Sequence, residues 1–348
     1  MMRAAVLEKI GSLRLKQVPV PEPGPGEVLV RIEANTICGT DLRIISGTKT
    51  AGVRPGVILG HEFAGRVAAV GRGVDGVPVG AQVTCSIVVS CQRCRACLSG
   101  REQLCENLVL FGYELDGGLA EYLLVPRIAM DHGNLVVLEK EIPATTLALA
   151  EPVSCCLNGA GQVAVAPGES VVVLGTGPIG LLHIALAKLA GATTILAAGR
   201  EGRLAAATDF GATCAVALTG EALTAEVRER TNGRGADVVI VAVGDLALAN
   251  QALELAAIGG RVNYFAGFPK GKTASIDPNL IHYRELAVTG GSNARRADVR
   301  RAVELLSSGA LDVGRLVTHR FPLAELDAAV TAVARRDGLK VAVMPAAG

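Results

Sequence analysis

The chain has 348 residues, half of them apolar and only 3% aromatic, with nine cysteines and a formal net charge of +1. This length suffices for two domains with complete hydrophobic cores. Near-neutral charge and scarce aromatic side chains argue against nucleic acid and anionic membranes as partners.

The N-terminal sequence MMRAAVLEKIG lacks the apolar core of a signal peptide, and an odd number of cysteines is typical of a reducing compartment. We therefore expect a cytoplasmic protein. The longest uncharged stretch, residues 170–187, carries three glycines and a proline in a loop at its centre. It predicts a buried strand, a turn and a helix rather than a membrane span.

Residues 1–150 contain short apolar runs such as VLVRIEA, GVILGHEFAGRVAAV and AQVTCSIVV, separated by turn sequences such as PEPGPGE. This pattern predicts a mostly β region.

Within that region, the segment CQRCRACLSGREQLC at residues 91–105 holds Cys91, Cys94, Cys97 and Cys105. Disulfides and a metal site are the two interpretations. A reducing compartment weakens the first, and three cysteines within seven residues are better placed to surround a tetrahedral ion than to pair. Four thiolates would fill every ligand position of a zinc ion, so we expect a structural zinc site that cannot bind substrate.

From about residue 165 the sequence alternates between apolar strand patterns and helical patterns. VVVLG is followed by the helical pattern PIGLLHIALAKLAGA, the strand TTILAAG and the helix RLAAATDFGA. The strands ADVVIVAVG and RVNYFAG follow, separated by the helical ALANQALELAAIGG, and a helix, ADVRRAVELLSSGAL, and a last strand, LKVAVMP, end the chain. The fold class is therefore α/β: a doubly wound parallel-sheet (Rossmann) domain at 153–289, inserted in a β-rich domain formed by 1–152 and 290–348.

The sequence VVVLGTGPIG places Gly175, Gly177 and Gly180 in the pattern G-x-G-x-x-G between a strand and a helix, with Pro178 and Ile179 inside the motif. The glycines allow a tight turn, close approach of a pyrophosphate and close helix–strand packing. An ordinary glycine-rich turn is the alternative, but this context predicts dinucleotide binding.

The residues at the end of the second strand of the dinucleotide-binding domain indicate whether the coenzyme is NAD(H) or NADP(H). NAD sites place an acidic residue about 20 positions after the glycines. Here that position is Gly199, followed by Arg200 and, nearby, Arg203. Both guanidinium groups can bind a 2′-phosphate, so NADP(H) is preferred, although Glu201 could take the ribose role and keeps NAD(H) open.

Cys38, in NTICGTDLR, is followed some 22 residues later by the GHE of ILGHEFAG, which contains His61 and Glu62. Together with EPVSCCLNG, GTGPIG, the four-cysteine segment and GLKVAVMP, these motifs cover essentially the whole chain. The chain resembles the medium-chain zinc-dependent alcohol and polyol dehydrogenases, in the branch that contains the sorbitol and threonine dehydrogenases. The resemblance implies a GroES-like fold for the β-rich catalytic domain.

The resemblance also implies residue roles. Cys38 and His61 match ligands of a catalytic zinc, and Glu62 and Glu151 share the remaining ligand role. Cys155 competes for it, but lies only 20 residues before Gly175, whereas the family places this ligand about 25 before. The hydroxyl that accepts the substrate proton matches Thr40, and the carboxylate that orients the histidine ligand matches Asp41.

Two positions depart from the family pattern. Arg43 stands where many relatives carry the histidine at the outer end of the proton relay, and an arginine cannot shuttle a proton at neutral pH. Asn293 stands where sorbitol dehydrogenases carry an arginine that helps bind the polyol. By position, Ser46, Phe111, Tyr113 and Asn293 are expected in the substrate pocket.

These features predict an oxidoreductase with two zinc ions per chain that transfers a hydride between NADP(H) and a secondary alcohol or ketone, with a polyol, a sugar or an (amino)cyclitol as substrate. A simple secondary alcohol and an NAD-dependent polyol or threonine type are alternatives within the family. A zinc-free NADPH reductase or sensor of this fold and a zinc-module adaptor or nucleic-acid binder are the alternatives outside it. We expect a homotetramer, with a homodimer as the alternative.

The coenzyme assignment is testable by kinetics. Because Gly199 leaves room and Arg200 supplies charge for a 2′-phosphate, kcat/KM should be higher with NADP(H) than with NAD(H). A preference for NADH in the same assay would contradict the assignment.

Overall fold

The computed structural model describes residues 1–345, so the last three residues of the predicted range 290–348 lie outside it. The chain divides into two compact units. Unit 1 comprises Met1–Ser154 and Asn293–Gly348, and unit 2 comprises Cys155–Ser292.

The strands in chain order are β1 (Met2–Lys9), β2 (Ser12–Val18), β3 (Val28–Thr36), β4 (Glu62–Val70), β5 (Gln82–Cys85), β6 (Val88–Val89), β7 (Val109–Leu110), β8 (Tyr122–Val125), β9 (Leu135–Val137), β10 (Ser170–Leu174), β11 (Thr194–Ala198), β12 (Cys214–Val216), β13 (Ala236–Val241), β14 (Ala256–Tyr264), β15 (Ala287–Gly290), β16 (Val317–Pro322) and β17 (Lys340–Met344).

The α-helices are α1 (Gly39–Ile45), α2 (Arg95–Leu98), α3 (Arg127–Asp131), α4 (Ala144–Leu147), α5 (Ala150–Val163), α6 (Pro178–Leu189), α7 (Leu204–Asp209), α8 (Gly220–Arg230), α9 (Ala247–Leu255), α10 (Pro278–Arg284), α11 (Arg296–Ser307) and α12 (Leu326–Arg335). Single turns of 3-10 helix cover Glu102–Leu104, Glu201–Arg203, Gly314–Leu316 and Leu323–Glu325.

Unit 2 is built on a six-stranded sheet in the order β12-β11-β10-β13-β14-β15. Every neighbouring pair in it is parallel. In sequence order this is 3-2-1-4-5-6, the doubly wound order that binds nucleotides where the strand order reverses, between β10 and β13. The predicted Rossmann domain is therefore confirmed. The reversal falls where the glycine motif leaves β10.

The turn after β10 depends on two glycines that approach each other. Gly175 has φ +108°, a conformation that side chains disfavour. A Cβ atom on Gly180 would overlap the carbonyl oxygen of Gly175. This contact brings the first turn of α6 against the end of β10, so the helix N-terminus opens beside the strand end.

The core of unit 2 lies between the sheet and its helices. Alternate residues of β10 and β13, such as Val172 and Val239, pack on Leu223 of α8 and Leu253 of α9. All four side chains are at most 2% exposed. Because both faces of a parallel sheet are covered, its strands are almost continuously apolar, which explains the runs VVVL and VVIV.

Unit 1 contains a seven-stranded sheet in the order β16-β17-β3-β4-β5-β9, with β8 also paired to β3. The pairs are antiparallel except β16 with β17, which run parallel. The last strand, β17, pairs with the end of β3 at Thr36 and Asn35. The C-terminal segment thus completes the sheet that carries the residues around Cys38 and His61.

One predicted helix is shorter than its sequence pattern. The helical interpretation of ALANQALELAAIGG extended to residue 260, but α9 ends at Leu255 and β14 begins at Ala256. Ala256 pairs with Ala236 at the start of the neighbouring strand, and Gly259 has φ +71°. Sheet pairing and a glycine bend therefore override the helical preference of the alanines.

No helix within residues 1–345 is long and apolar enough to cross a membrane.

The close approach of Gly180 and Gly175 is testable. Gly180→Ala should lower the free energy of unfolding by about 1–3 kcal/mol, because the added methyl group forces α6 away from β10. Gly202→Ala is the control, since a Cβ there meets no atom within 4 Å. Thermal and urea denaturation of both variants provide the comparison. Equal stability of the two would contradict the packing role of Gly180.

Candidate active site

Cys38 lies directly before α1, where the chain leaves β3. Its backbone N–H donates to Asp41 Oδ2 at 2.8 Å, so Asp41 caps the first turn of the helix. Asp41 is fully buried. The sequence CGTD therefore encodes a helix start whose capping carboxylate lies inside the protein, one turn from the cysteine.

His61 enters the site through a constraint on Gly60. Gly60 has φ +95°, and a Cβ there would lie 2.6 Å from Asn35 Oδ1 and 2.8 Å from the Leu119 side chain. Only glycine fits this bend. The bend brings His61 Nδ1 to 3.2 Å from Asp41 Oδ1, so one buried carboxylate serves both the helix start and the imidazole.

The surroundings of His61 favour positive charge. Burial by itself would lower the pKa of His61, but the Asp41 carboxylate, with smaller contributions from Tyr113 and Cys38, raises that pKa well above its ordinary value. The imidazole is thus surrounded by groups that stabilise a cation, which is the environment a bound metal ion requires.

Glu62 is 1% exposed and is held by two partners. Lys340 Nζ, from β17, donates to Glu62 Oε1 at 2.6 Å, and the Thr36 hydroxyl donates to Oε2. Burial alone would lower the pKa of Lys340, but the charge of Glu62 above all, then Cys38 and Glu151, raises it above its ordinary value. Glu62 is therefore a buried, paired carboxylate.

The sulfur of Cys38, a ring nitrogen of His61 and a carboxylate oxygen of Glu62 all lie within 4.8 Å of one another. Tetrahedral zinc ligands at about 2.0–2.3 Å from the ion have mutual separations of roughly 3–4 Å, so this spacing suits one ion. Glu151, at the start of α5, is outside this three-residue cluster. Burial above all raises the pKa of Tyr113, and the charge of Glu151 adds a small part. The same charge contributes to the raised pKa of Lys340.

Thr40 and Arg43 lie on consecutive turns of α1. Arg43 Nη2 donates to Thr40 Oγ1 at 2.8 Å. Arg43, which stands where many relatives carry the histidine of the proton relay, is thus hydrogen-bonded to the Thr40 hydroxyl that the resemblance assigns to that relay. The bond leaves the Thr40 O–H free to donate.

The four residues expected in the substrate pocket have different environments. Tyr113 stands beside His61, with ring centroids 5.4 Å apart. Phe111 is fully buried and packs edge-on against Phe63 in the hydrophobic core. Ser46 is exposed and bonds the backbone oxygen of Arg43 at 3.2 Å. Asn293 is half-buried with φ +53°.

The sulfur atoms of Cys91, Cys94, Cys97 and Cys105 form a second cluster within 4.8 Å, and none of these cysteines is in a disulfide. Cys94 Sγ lies 3.5 Å from Cys97 Sγ and 3.9 Å from Cys105 Sγ. A tetrahedron of Zn–S bonds of about 2.3 Å has edges of about 3.8 Å. The thiols are therefore spaced as zinc ligands.

Backbone N–H groups point at these sulfur atoms. The N–H groups of Cys91 and Asn107 donate to Cys105 Sγ at 3.2 and 3.3 Å. The Arg93 backbone N–H, together with smaller contributions, lowers the pKa of Cys91 to about 6. Burial and the neighbouring thiols raise the pKa of Cys97 to about 12. A divalent cation would stabilise all four thiolates together.

The nucleotide motif has its phosphate loop at Gly177, which precedes Pro178 and Ile179 in the first turn of α6. An added Cβ at Gly177 would lie 3.8 Å from Arg203 Nη1, so this guanidinium borders the loop. Arg200 is exposed and begins the 3-10 turn that contains Glu201 and Arg203. A side chain on Gly199 would overlap Thr176, which is 3% exposed.

Comparison with known proteins assigns the family. The alcohol dehydrogenase GroES-like domain model matches residues 24–132, and the zinc-binding dehydrogenase model matches residues 178–308. L-threonine 3-dehydrogenase of Pyrococcus furiosus is 37% identical over 88% of this chain and 87% of its own. The chain belongs to the zinc-binding dehydrogenases. The predicted GroES-like fold and the family resemblance are thereby confirmed.

Solved structures agree with this assignment. A zinc-binding dehydrogenase of Sinorhizobium meliloti 1021, bound to NADP, has a TM-score of 0.92 and 36% identity, with 99% of each chain covered. The 2R,3R-butanediol dehydrogenase of Bacillus subtilis has a TM-score of 0.90 and 28% identity, with 99% of this chain and all of the other covered.

Two lysines of this dehydrogenase were not identified from the sequence. The sequence places Lys340 only within the last strand, LKVAVMP, because its partner Glu62 is 278 positions away. Lys49 lies in the loop sequence SGTKT, where a lysine usually points into solvent, but its ammonium group lies over the Tyr113 ring. For Lys340, the only indication in the sequence is that a single lysine lies within an otherwise apolar strand.

The Lys340–Glu62 pair is testable by unfolding of this dehydrogenase. Lys340→Met leaves the Glu62 carboxylate buried without its cation and should lower the free energy of unfolding by about 3–5 kcal/mol. Lys140→Met, at an exposed position, is the control and should change little. Adding Glu62→Gln to Lys340→Met should recover part of the loss. A stability change under about 1 kcal/mol for Lys340→Met would contradict the role of this pair.

Proposed function

We propose that this dehydrogenase transfers a hydride between NADP(H) and a secondary alcohol or ketone at a zinc ion held by Cys38 and His61. The observation that supports this best is the cluster of Cys38, His61 and Glu62, with Asp41 behind the imidazole. The soft thiolate, the imidazole and the carboxylate together form a donor set suited to zinc.

The residues present fit such an ion. Asp41 Oδ1 at 3.2 Å from His61 Nδ1 leaves Nε2 as the ligand nitrogen and fixes the ring orientation. A zinc ion with an open position lowers the pKa of a bound hydroxyl and stabilises the charge that develops during hydride transfer. Lys340 and the Thr36 hydroxyl together engage both carboxylate oxygens of Glu62, so we propose that Glu62 and Glu151 share the third ligand role.

For the proton, we propose Thr40 as the acceptor that passes it on. Arg43 donates to the Thr40 oxygen, which stabilises negative charge there and so helps the hydroxyl to release its own proton as it takes up the substrate proton. The proton leaves by the coenzyme ribose or by water, because a guanidinium group cannot accept it. Arg43 thus tunes Thr40 without extending the relay.

For the coenzyme, we propose NADP(H) bound by the motif from Gly175 to Gly180, with the pyrophosphate at the N-terminus of α6. Arg200 and Arg203 are the groups that would bind the 2′-phosphate beside Gly199. The Sinorhizobium relative bound to NADP supports this choice. Glu201 remains the residue that would favour NAD(H).

For the substrate, we propose a polyol, a sugar or an (amino)cyclitol, in line with the polyol branch that the motifs resemble. The butanediol dehydrogenase of similar structure supports a secondary alcohol with a neighbouring polar group. L-threonine is the second candidate, because relatives of up to 37% identity are L-threonine 3-dehydrogenases.

The second zinc ion, at Cys91, Cys94, Cys97 and Cys105, is proposed as structural, since four thiolates leave no ligand position for substrate. Glu102 lies within this segment and accepts from the backbone N–H of Arg296 at 2.8 Å, which ties the segment to α11. A homotetramer is proposed from the family resemblance.

The proposed chemistry is testable with Cys38→Ala. Zinc content should fall from about two to about one per chain, NADPH binding should persist, and kcat/KM should fall at least about a thousandfold. Cys214→Ala, outside both clusters, is the control and should keep zinc and turnover. Metal analysis, NADPH fluorescence titration and steady-state kinetics provide the readouts. Turnover that survives in Cys38→Ala would overturn the proposal.

A further inference from the structure

The loop that follows α1 holds Lys49 in a defined place. The backbone oxygen of Arg43 accepts three hydrogen bonds from this loop: from Ser46 Oγ and Thr48 Oγ1, both at 3.2 Å, and from Lys49 N at 2.9 Å. The loop therefore folds back on the end of the helix. Lys49 is set beside Arg43 instead of projecting freely into solvent.

The Lys49 ammonium group lies 5.3 Å from the centre of the Tyr113 ring. The same ring is 5.4 Å from the His61 imidazole. Tyr113 is thus a wall shared by Lys49 and the proposed zinc site. A molecule whose hydroxyl group reaches the Cys38 and His61 cluster, and whose other end extends past the Tyr113 ring, would meet Lys49 there.

Arg43 is the cation that acts on Lys49. In the described part of the chain, Lys49 has no ion-pair partner within 4.0 Å. Its side chain is half-buried. Burial, and then the charge of Arg43, lower the pKa of Lys49, while Glu114 partly offsets them. The Glu114 carboxylate itself accepts from the backbone N–H of Leu110 at 3.0 Å.

An ammonium group that is partly removed from water, has no ion-pair partner and is influenced by another cation is stabilised by a bound anion. The cation–π contact with Tyr113 compensates only in part, because such contacts contribute about 0.5–2 kcal/mol. A neutral polyol would provide hydroxyl acceptors there but no opposite charge.

We propose that Lys49, supported by Arg43, binds an anionic group of the substrate, so that the preferred substrate is an alcohol that also carries a carboxylate or a phosphate group. Lys49 is then a specificity-determining residue, while the hydride chemistry stays at Cys38 and His61. The inference rests on the proposed function, because the substrate hydroxyl must lie at that site.

The test compares anionic and neutral substrates that differ in one group. The pairs are D-gluconate with sorbitol, sorbitol 6-phosphate with sorbitol, and L-threonine with L-threonine amide. The proteins are the zinc-loaded wild type, Lys49→Met, Lys49→Arg and the control Lys140→Met, each assayed with NADP⁺ and NAD⁺. Gluconate and L-threonine report on a carboxylate, and sorbitol 6-phosphate reports on a phosphate.

In the wild type, kcat/KM for at least one anionic member should exceed that of its neutral partner by about tenfold or more, mainly through a lower KM, as expected for one charge-assisted contact. Lys49→Met should bring this ratio to about one, while Lys49→Arg and Lys140→Met should keep most of it. A wild type without anionic preference, or a ratio unchanged in Lys49→Met, overturns the inference and leaves the proposed function intact.

If no pair is turned over, the proposed substrate range fails, and binding decides the inference separately. Calorimetric titration of the NADP⁺-loaded protein with gluconate, sorbitol 6-phosphate and L-threonine then compares the wild type with Lys49→Met. Binding that depends on Lys49 supports the inference. Equal binding by both proteins, or no binding by either, overturns it.

Discussion

The buried carboxylate of Asp41 is the constraint on which the proposed active site depends. One of its oxygens accepts the backbone N–H of Cys38 and so begins α1, and the other lies against the imidazole of His61. Two proposed zinc ligands, 23 positions apart in the sequence, are thereby held by one side chain that is itself fully buried. Ligands held in this way need little rearrangement to receive an ion, which lowers the entropic cost of binding it.

Charge in unit 1 is balanced in two different ways around this site. The Glu62 carboxylate is neutralised from inside the protein by Lys340, so this charge is fixed by the fold. Lys49 and Arg43 have the opposite sign and lie where the loop after α1 is accessible. The buried Glu62 thus has a counter-ion within the protein, whereas Lys49 and Arg43 would obtain one only from a bound ligand. In our proposal, this difference separates residues that maintain the architecture from residues that select a ligand.

The sequence predicted the parts that have a local signal. Strand and helix periodicity, the glycines of GTGPIG and the spacing of the cysteines were sufficient for the fold and for the four-sulfur cluster. Contacts between distant residues had no such signal. The pairing of Lys340 with Glu62, the place of Phe111 in the core and the end of α9 at Leu255 depend on sheet pairing and packing that only the folded chain defines.

The overlap between Gly199 and Thr176 has a consequence for redesign of the coenzyme site. The usual route to NAD(H) preference would add a carboxylate at position 199, but a side chain there meets the Cβ atom of Thr176 and both of its terminal atoms. No rotamer of the threonine removes all three contacts. A carboxylate at position 199 therefore requires a smaller residue at position 176, and the change at 176 has to come first.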